Sequence, residues 1–162
     1  MPRRLLRNGR IVDDDWSYAA QADGGSAAAL ILTLAEWQTQ RDVWVARGGQ
    51  LGMMLQPADR VEHVTADLAL FSLIACSFSG PSEGRGYSQA RALREQWKFS
   101  GELRATGYVR RDQLFFLARC GFNSFELAEA DLEHAVTALS TFSAAYQPSN
   151  DAGLPLKLRR RS

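Results

Sequence analysis

From Ala28 onward the chain repeats one pattern: a short continuous apolar run, a turn signal, then apolar residues spaced along one helical face. Ala28 to Leu34 reads as a strand buried on both faces. Thr33-Leu34-Ala35-Glu36 has capping-box spacing and predicts a helix start. Trp37, Arg41, Trp44 and Val45 follow on its turns, and Gly48-Gly49 closes it. Leu51 to Leu55 predicts a second strand. Pro57 suits the first position of a helix whose inner face is Val61, Val64 and Leu68. Leu70 to Phe78 is the clearest strand. Ser79 to Gly86 is a Gly/Ser/Pro loop, and Tyr87 to Trp97 a helix without a breaker. Leu103 to Thr106 predicts a strand that turns at Gly107. Arg111 to Arg119 predicts a helix with Leu114, Phe115 and Ala118 inward, closed by Gly121. Phe122 to Leu127 holds a short strand. Asp131 to Phe142 is an amphipathic helix with Leu132, Ala135, Val136, Leu139 and Phe142 on one side.

Before this repeat, Arg4 to Val12 carries Asn8-Gly9 between short apolar runs, a hairpin signal because both residues tolerate positive φ. Asp13 to Ser26 shows no period and reads as an irregular connection. The pattern predicts an α/β fold: a single domain of about five consecutive βα units with a mainly parallel sheet and an N-terminal β-hairpin. The sheet is either open or a partial barrel, since a full eight-stranded barrel needs about 250 residues. Three segments follow: hairpin and loop over 1–27, the βα repeat over 28–146, and a loose basic tail over 147–162 that contains Arg159-Arg160-Arg161. In either architecture the binding face lies at the carboxyl ends of the strands.

With 46% hydrophobic and 23% charged residues, the 162-residue chain is large enough to fold without a disulfide or metal. Nineteen Lys+Arg against eighteen Asp+Glu give a net charge of +1, which argues against nucleic acid as a partner. No apolar run approaches the roughly 18 residues of a membrane span. The N-terminus lacks the apolar stretch of a signal peptide. Cys76 and Cys120 form neither a disulfide framework nor a CxxC pair. The expected setting is the reducing cytoplasm.

Chemistry concentrates in the loop Gly80-Pro81-Ser82-Glu83-Gly84-Arg85-Gly86-Tyr87-Ser88, between a buried strand and a helix. Gly84 and Gly86 let backbone approach a ligand, and the helix start favours an anion. Arg85 offers a charged fork and Ser88 a cap or a donor. The plainer reading is a tight turn with Ser88 capping. Glu102 and Arg104 share one strand face; the plain reading is a strand-end ion pair, the functional one a site lining. Asp112 and Gln113 open a helix at the same end of the sheet as Arg85, where Asp112 also suits the dipole. Both cysteines read as small buried hydrophobes, and His63 and His134 as surface residues without ligand spacing. No metal motif, nucleotide fingerprint or catalytic triad is present in the sequence.

Across Glu83-Gly84-Arg85-Gly86-Tyr87-Ser88, Gly101-Glu102-Leu103-Arg104-Ala105, Arg111-Asp112-Gln113-Leu114-Phe115-Phe116-Leu117 and Arg119-Cys120-Gly121-Phe122, the chain resembles a bacterial family of small proteins labelled "oxidoreductase probably involved in sulfite reduction". The resemblance runs from about Leu30 to Tyr146. Members are encoded beside a sulfite reductase hemoprotein. It implies an accessory protein of assimilatory sulfite reduction with that hemoprotein as the expected partner; the loop and strand-end chemistry read above adds the expectation of an oxyanion or phosphate-bearing ligand at Gly84–Ser88, Arg104, Asp112 and Gln113. It supplies no cofactor and no catalytic residue. Two positions depart from the family pattern: Glu83 stands where Asp is usual, and Tyr108 where Asp or Asn is usual. The alternatives are a small enzyme using Glu83, Glu102 or Asp112 as acid or base, and a non-catalytic docking partner of sulfite reductase.

Overall fold

The computed structural model describes residues 3–22 and 27–145, the last five as helix backbone only. Among these residues one open sheet holds eight strands in the order β2-β1-β8-β7-β6-β5-β4-β3. They are β1 (Arg4–Arg7), β2 (Arg10–Asp13), β3 (Ser17–Tyr18), β4 (Ala29–Thr33), β5 (Gln50–Leu55), β6 (Phe71–Phe78), β7 (Glu102–Gly107) and β8 (Ser124–Phe125). From β3 to β8 every neighbour pair is parallel. Strand order therefore advances one way only, and right-handed crossovers then place the connecting segments on one face of the sheet. The result is a half-barrel. The hairpin β1–β2 adds antiparallel to β8 at one edge. Its turn uses Asn8 at φ 51° and Gly9 at φ 78°, as the Asn-Gly signal requires.

Four α-helices accompany the sheet among the described residues: α1 (Leu34–Arg47), α2 (Arg85–Arg91), α3 (Leu114–Cys120) and α4 (Leu132–Ala145). The α1 start is the expected capping box: Glu36 N–H donates to Thr33 Oγ1 and Thr33 N–H to Glu36 Oε2. The helix-side core joins Leu32, Met53, Leu55, Ile74, Cys76, Phe78, Leu103 and Phe125 to Trp37, Leu93, Leu117 and Leu132. On the opposite, concave face a smaller cluster forms from Trp16, Ala29, Ile31, Leu73 and Ala75. Gly52 has no side chain there because a Cβ would come within 3.1 Å of the Trp16 ring.

Several expectations change. The segment after Pro57 is not an α-helix. The Asp59 carboxylate takes the Gln56 N–H and closes a turn, Arg60 is extended, and only 3-10 turns follow at Val61–His63 and Thr65–Leu70. Val61 and Val64 still reach the core. The stretch expected to be irregular contains β3, whose two residues pair with Leu30 and Ile31. The Gly-rich loop is shorter than expected because α2 already begins at Arg85 with Gly84 as its cap; Ser88 is therefore inside the helix and caps nothing. After Arg91 the chain continues as a π-helical turn over Ala92–Gln96. On α3, Leu117 rather than Phe115 is buried beside Leu114 and Ala118. Phe115 instead carries the Arg119 guanidinium over its ring. The basic tail expected over 147–162 lies outside the described residues. No described helix is long and apolar enough to cross a membrane.

Candidate functional site

The structure divides the sequence-derived candidates between the two faces of the sheet. On the helix side Gly84 caps α2, and Arg85, Gly86, Tyr87 and Ser88 lie within it. Asp112 and Gln113 lie on the 3-10 turn that leads into the neighbouring α3. The charged groups among these candidates already have protein partners. Glu83 Oε1 accepts the Arg85 backbone N–H at 2.9 Å and Arg85 Nε at 3.3 Å. The backbone hydrogen bond from Arg85 leads in holding the Glu83 carboxyl below its ordinary range. An anion at this helix start would have to displace a resident carboxylate. Gly86 serves packing, since a Cβ would come 2.5 Å from the Phe78 ring. Tyr87 stacks edge-on against Phe78 and Phe116, and burial pushes its phenol up. Ser88 is exposed. Asp112 pairs with Arg110, and the Gln113 Oε1 accepts the Arg110 N–H.

Arg104 sits on the concave face instead. The β6–β7 register sets Glu102 beside Leu73, Arg104 beside Ala75 and Thr106 beside Ser77, and the pleat turns all six side chains the same way. Arg104 is fully buried and makes five hydrogen bonds. Two go to Glu102 Oε1, at 3.3 and 3.0 Å. Two go to Asp14 at 3.1 Å each, and one to Glu126 Oε1 at 3.2 Å. Arg3 adds bonds to Asp14 and an ion pair to Glu126, and Arg7 reaches Glu102. Three guanidiniums (Arg3, Arg7, Arg104) thus face three carboxylates (Asp14, Glu102, Glu126). Such balance is what lets a buried charge persist. Burial raises the Asp14 carboxyl, but Arg104's charge and the hydrogen bonds from Arg3, Arg104 and the Trp16 N–H hold it below its ordinary value.

Next to this network a cleft of about 320 Å³ opens on the concave face. It lies at the carboxyl ends of the parallel strands, where Thr33 ends β4, Met54 nears the end of β5, and Ser77 and Thr106 stand one residue from the ends of β6 and β7. Glu126 follows directly on β8. Tyr18 from β3 closes one side: its hydroxyl donates to Glu126 Oε1 at 2.9 Å. Thr106 Oγ1 donates to Glu126 Oε2 at 2.6 Å. Burial, then the Glu126 charge, pushes the Tyr18 phenol up to about 12, so it remains a donor. Ile31, Met54, Ala19 and Ala20 give the cleft its apolar walls. A concave, largely apolar space with a few convergent polar groups at the strand ends is the usual form of a small-molecule site. Tyr18, Ser77, Thr106 and Glu126 were not singled out in the sequence. For Ser77, Thr106 and Glu126 the signal was their position at strand ends; Tyr18 gave none, because a two-residue strand has no readable period. Among the described residues no group of His, Cys, Asp and Glu is placed to hold a metal ion.

No protein of curated function matches the chain. Residues 52–157 match a family described as "Bacterial protein of unknown function (DUF934)". The match starts at Gly52 on β5 and includes Ser77, Gly84–Ser88, Arg104, Thr106 and Glu126, while Asp14 and Tyr18 precede it. Because it spans well over half of the sequence, the chain belongs to this bacterial family.

Proposed function

We propose that this protein is a ligand-binding accessory of assimilatory sulfite reduction, with its ligand in the cleft over the carboxyl ends of β4 to β8. The observation that carries the ligand-binding part is the position of that cleft, flanked by Tyr18, Ser77, Thr106 and Glu126. The pathway part is supported by the resemblance across Glu83–Ser88, Gly101–Ala105 and Arg111–Phe122. On this reading the protein acts beside the sulfite reductase hemoprotein. The enzyme alternative draws less support: Glu83, Asp112 and Glu102 are each engaged by an arginine.

The test is growth of a strain lacking the gene, on sulfate, on sulfite and on cysteine as sole sulfur source. The strain is complemented with wild type, Ser77→Phe, which fills the cleft, or Arg85→Ala. Circular dichroism of the purified variant is the control that Ser77→Phe folds. The deletion should slow growth on sulfate and sulfite and leave growth on cysteine normal. Wild type and Arg85→Ala should restore it and Ser77→Phe should not. Normal growth of the deletion strain on sulfate overturns the pathway. Rescue by Ser77→Phe overturns the cleft, and failure of Arg85→Ala alone returns the site to the Gly84–Ser88 loop.

A further inference from the structure

The hydrogen-bonding capacity left open around the cleft is unequal. Every guanidinium near it is engaged: Arg3 and Arg104 are bound to Asp14 and Glu126, and Arg3 also covers the Tyr18 ring. Among the described residues no Lys or Arg lines the cleft. Acceptors remain. Glu36 uses Oε2 for the Thr33 N–H, which leaves Oε1. Thr106 and Tyr18 spend their protons on Glu126 and keep oxygen lone pairs. The negative charge of Glu126 is offset by Arg3 and Arg104, whereas Glu36 has no basic partner among the described residues. The cleft therefore offers one carboxylate without a basic partner among the described residues, the Thr106 and Tyr18 lone pairs, neutral groups on Gln21, Thr33 and Ser77 that can donate or accept, and an apolar wall of Ile31, Met54, Ala19 and Ala20.

We infer that the cleft takes a small ammonium-bearing molecule with a short aliphatic body, and that it discriminates against free oxyanions. This rests on the cleft being the ligand site, as proposed above. The aliphatic part lies along Ile31 and Met54, and the ammonium pairs with the Glu36 carboxylate. An oxyanion in the same place would find neutral donors on Gln21, Thr33 and Ser77 but also a carboxylate, and no cation among the described residues to hold it.

The test is a titration of the isotope-labelled protein followed by amide NMR, with n-butylammonium, butyrate and sulfate as matched probes. n-Butylammonium should shift the Met54, Thr106 and Gly107 amides saturably, and butyrate and sulfate should leave them in place. Glu36→Gln keeps the capping box, since Gln also serves there. It should weaken n-butylammonium binding roughly two- to fivefold, the range of a solvent-exposed ion pair. If butyrate or sulfate shifts the cleft amides as tightly, the ligand class is wrong and the cleft stands. If no probe shifts them, or if Glu36→Gln leaves amine affinity unchanged, the inference falls. The cleft reading is then decided separately, by growth of the Ser77→Phe strain.

Discussion

Arg104 and Asp14 stand ninety positions apart and form a two-pronged ion pair, Nη1 to Oδ2 and Nη2 to Oδ1, each 3.1 Å. Neither side chain reaches solvent to any useful extent. The pair ties the segment before β3 to the middle of β7 and so fixes where Tyr18 meets Glu126. Asp14→Ala would leave Arg104 buried with less than its full set of acceptors. Breaking a buried pair from one side costs about 3–5 kcal/mol, which is a fall in Tm of roughly 6–20 °C at this chain length. Arg3→Ala removes a half-exposed partner of the same carboxylate and should cost about 1 kcal/mol or less. Urea unfolding of both variants checks the contrast. An Asp14→Ala loss no larger than that of Arg3→Ala would mean that the network is not a structural anchor.

The same carboxylate sets a pH dependence. Asp14 titrates below its ordinary value of 3.8 in the folded chain, so the unfolded chain binds the proton more readily. Its stabilisation is therefore complete above the unfolded value and is lost as pH falls through the folded one. Asp67 is lowered too, chiefly by hydrogen bonds from Arg41, and adds in the same direction. Urea midpoints should be level from neutral pH down to about pH 5 and then decline. In Asp14→Asn the midpoint should start lower and decline less steeply over the acid range. An equal decline in both proteins would show that Asp14 does not carry the linkage.

Three glycines that look alike in sequence should respond differently to alanine. At Gly84 a Cβ meets nothing within 4 Å, and φ is −108°, so Gly84→Ala should be neutral or stabilising by up to about 1 kcal/mol. At Gly86 a Cβ would press on a Phe78 ring already held between Tyr87 and Phe122, at a cost of about 1–3 kcal/mol. At Gly107 it would come 2.4 Å from the Phe78 carbonyl oxygen at φ +84°, which adds backbone strain to the clash, so this variant should lose the most. Thermal melts rank the three. A large loss at Gly84 would indicate that this position needs its bare backbone for something other than packing.

What was legible in the sequence is local. Asn8-Gly9 specified its hairpin, Thr33 with Glu36 its helix start, and the apolar runs their strands, because each signal acts within a few residues. Their repetition gave the parallel sheet. The 3-10 turns after Pro57 escaped because a turn closed by Asp59 and an extended Arg60 interrupt a helical spacing that Val61 and Val64 still satisfy. The candidate site was legible only in part. Glu102 and Arg104 were placed on one face, but the choice of concave rather than helix side depends on strand order. Asp14 and Glu126 are joined to Arg104 across 90 and 22 positions, and no spacing rule reaches that far.

The two thiols bear on whether cysteine chemistry has a place in this fold. Burial pushes the Cys76 thiol up to about 12, on β6 in the face of the sheet that α2 covers. Burial raises Cys120 as well, and the opposing pull of Arg91 and Arg119 does not reverse it. Neither side chain reaches solvent. Nucleophilic attack needs an accessible thiolate, and at neutral pH neither residue supplies one. Both should stay unmodified by a maleimide in native buffer at pH 7 over hours, and both should react within minutes in urea, as mass spectrometry of intact protein would show. The rate in native buffer should track the opening of the fold, so Asp14→Ala should react faster than wild type while keeping the same two sites. Rapid labelling of native wild type at Cys120 alone would reverse this assignment, and would make the corner between α2 and α3, where Arg91, Cys120 and Arg119 lie, the first place to look for redox activity.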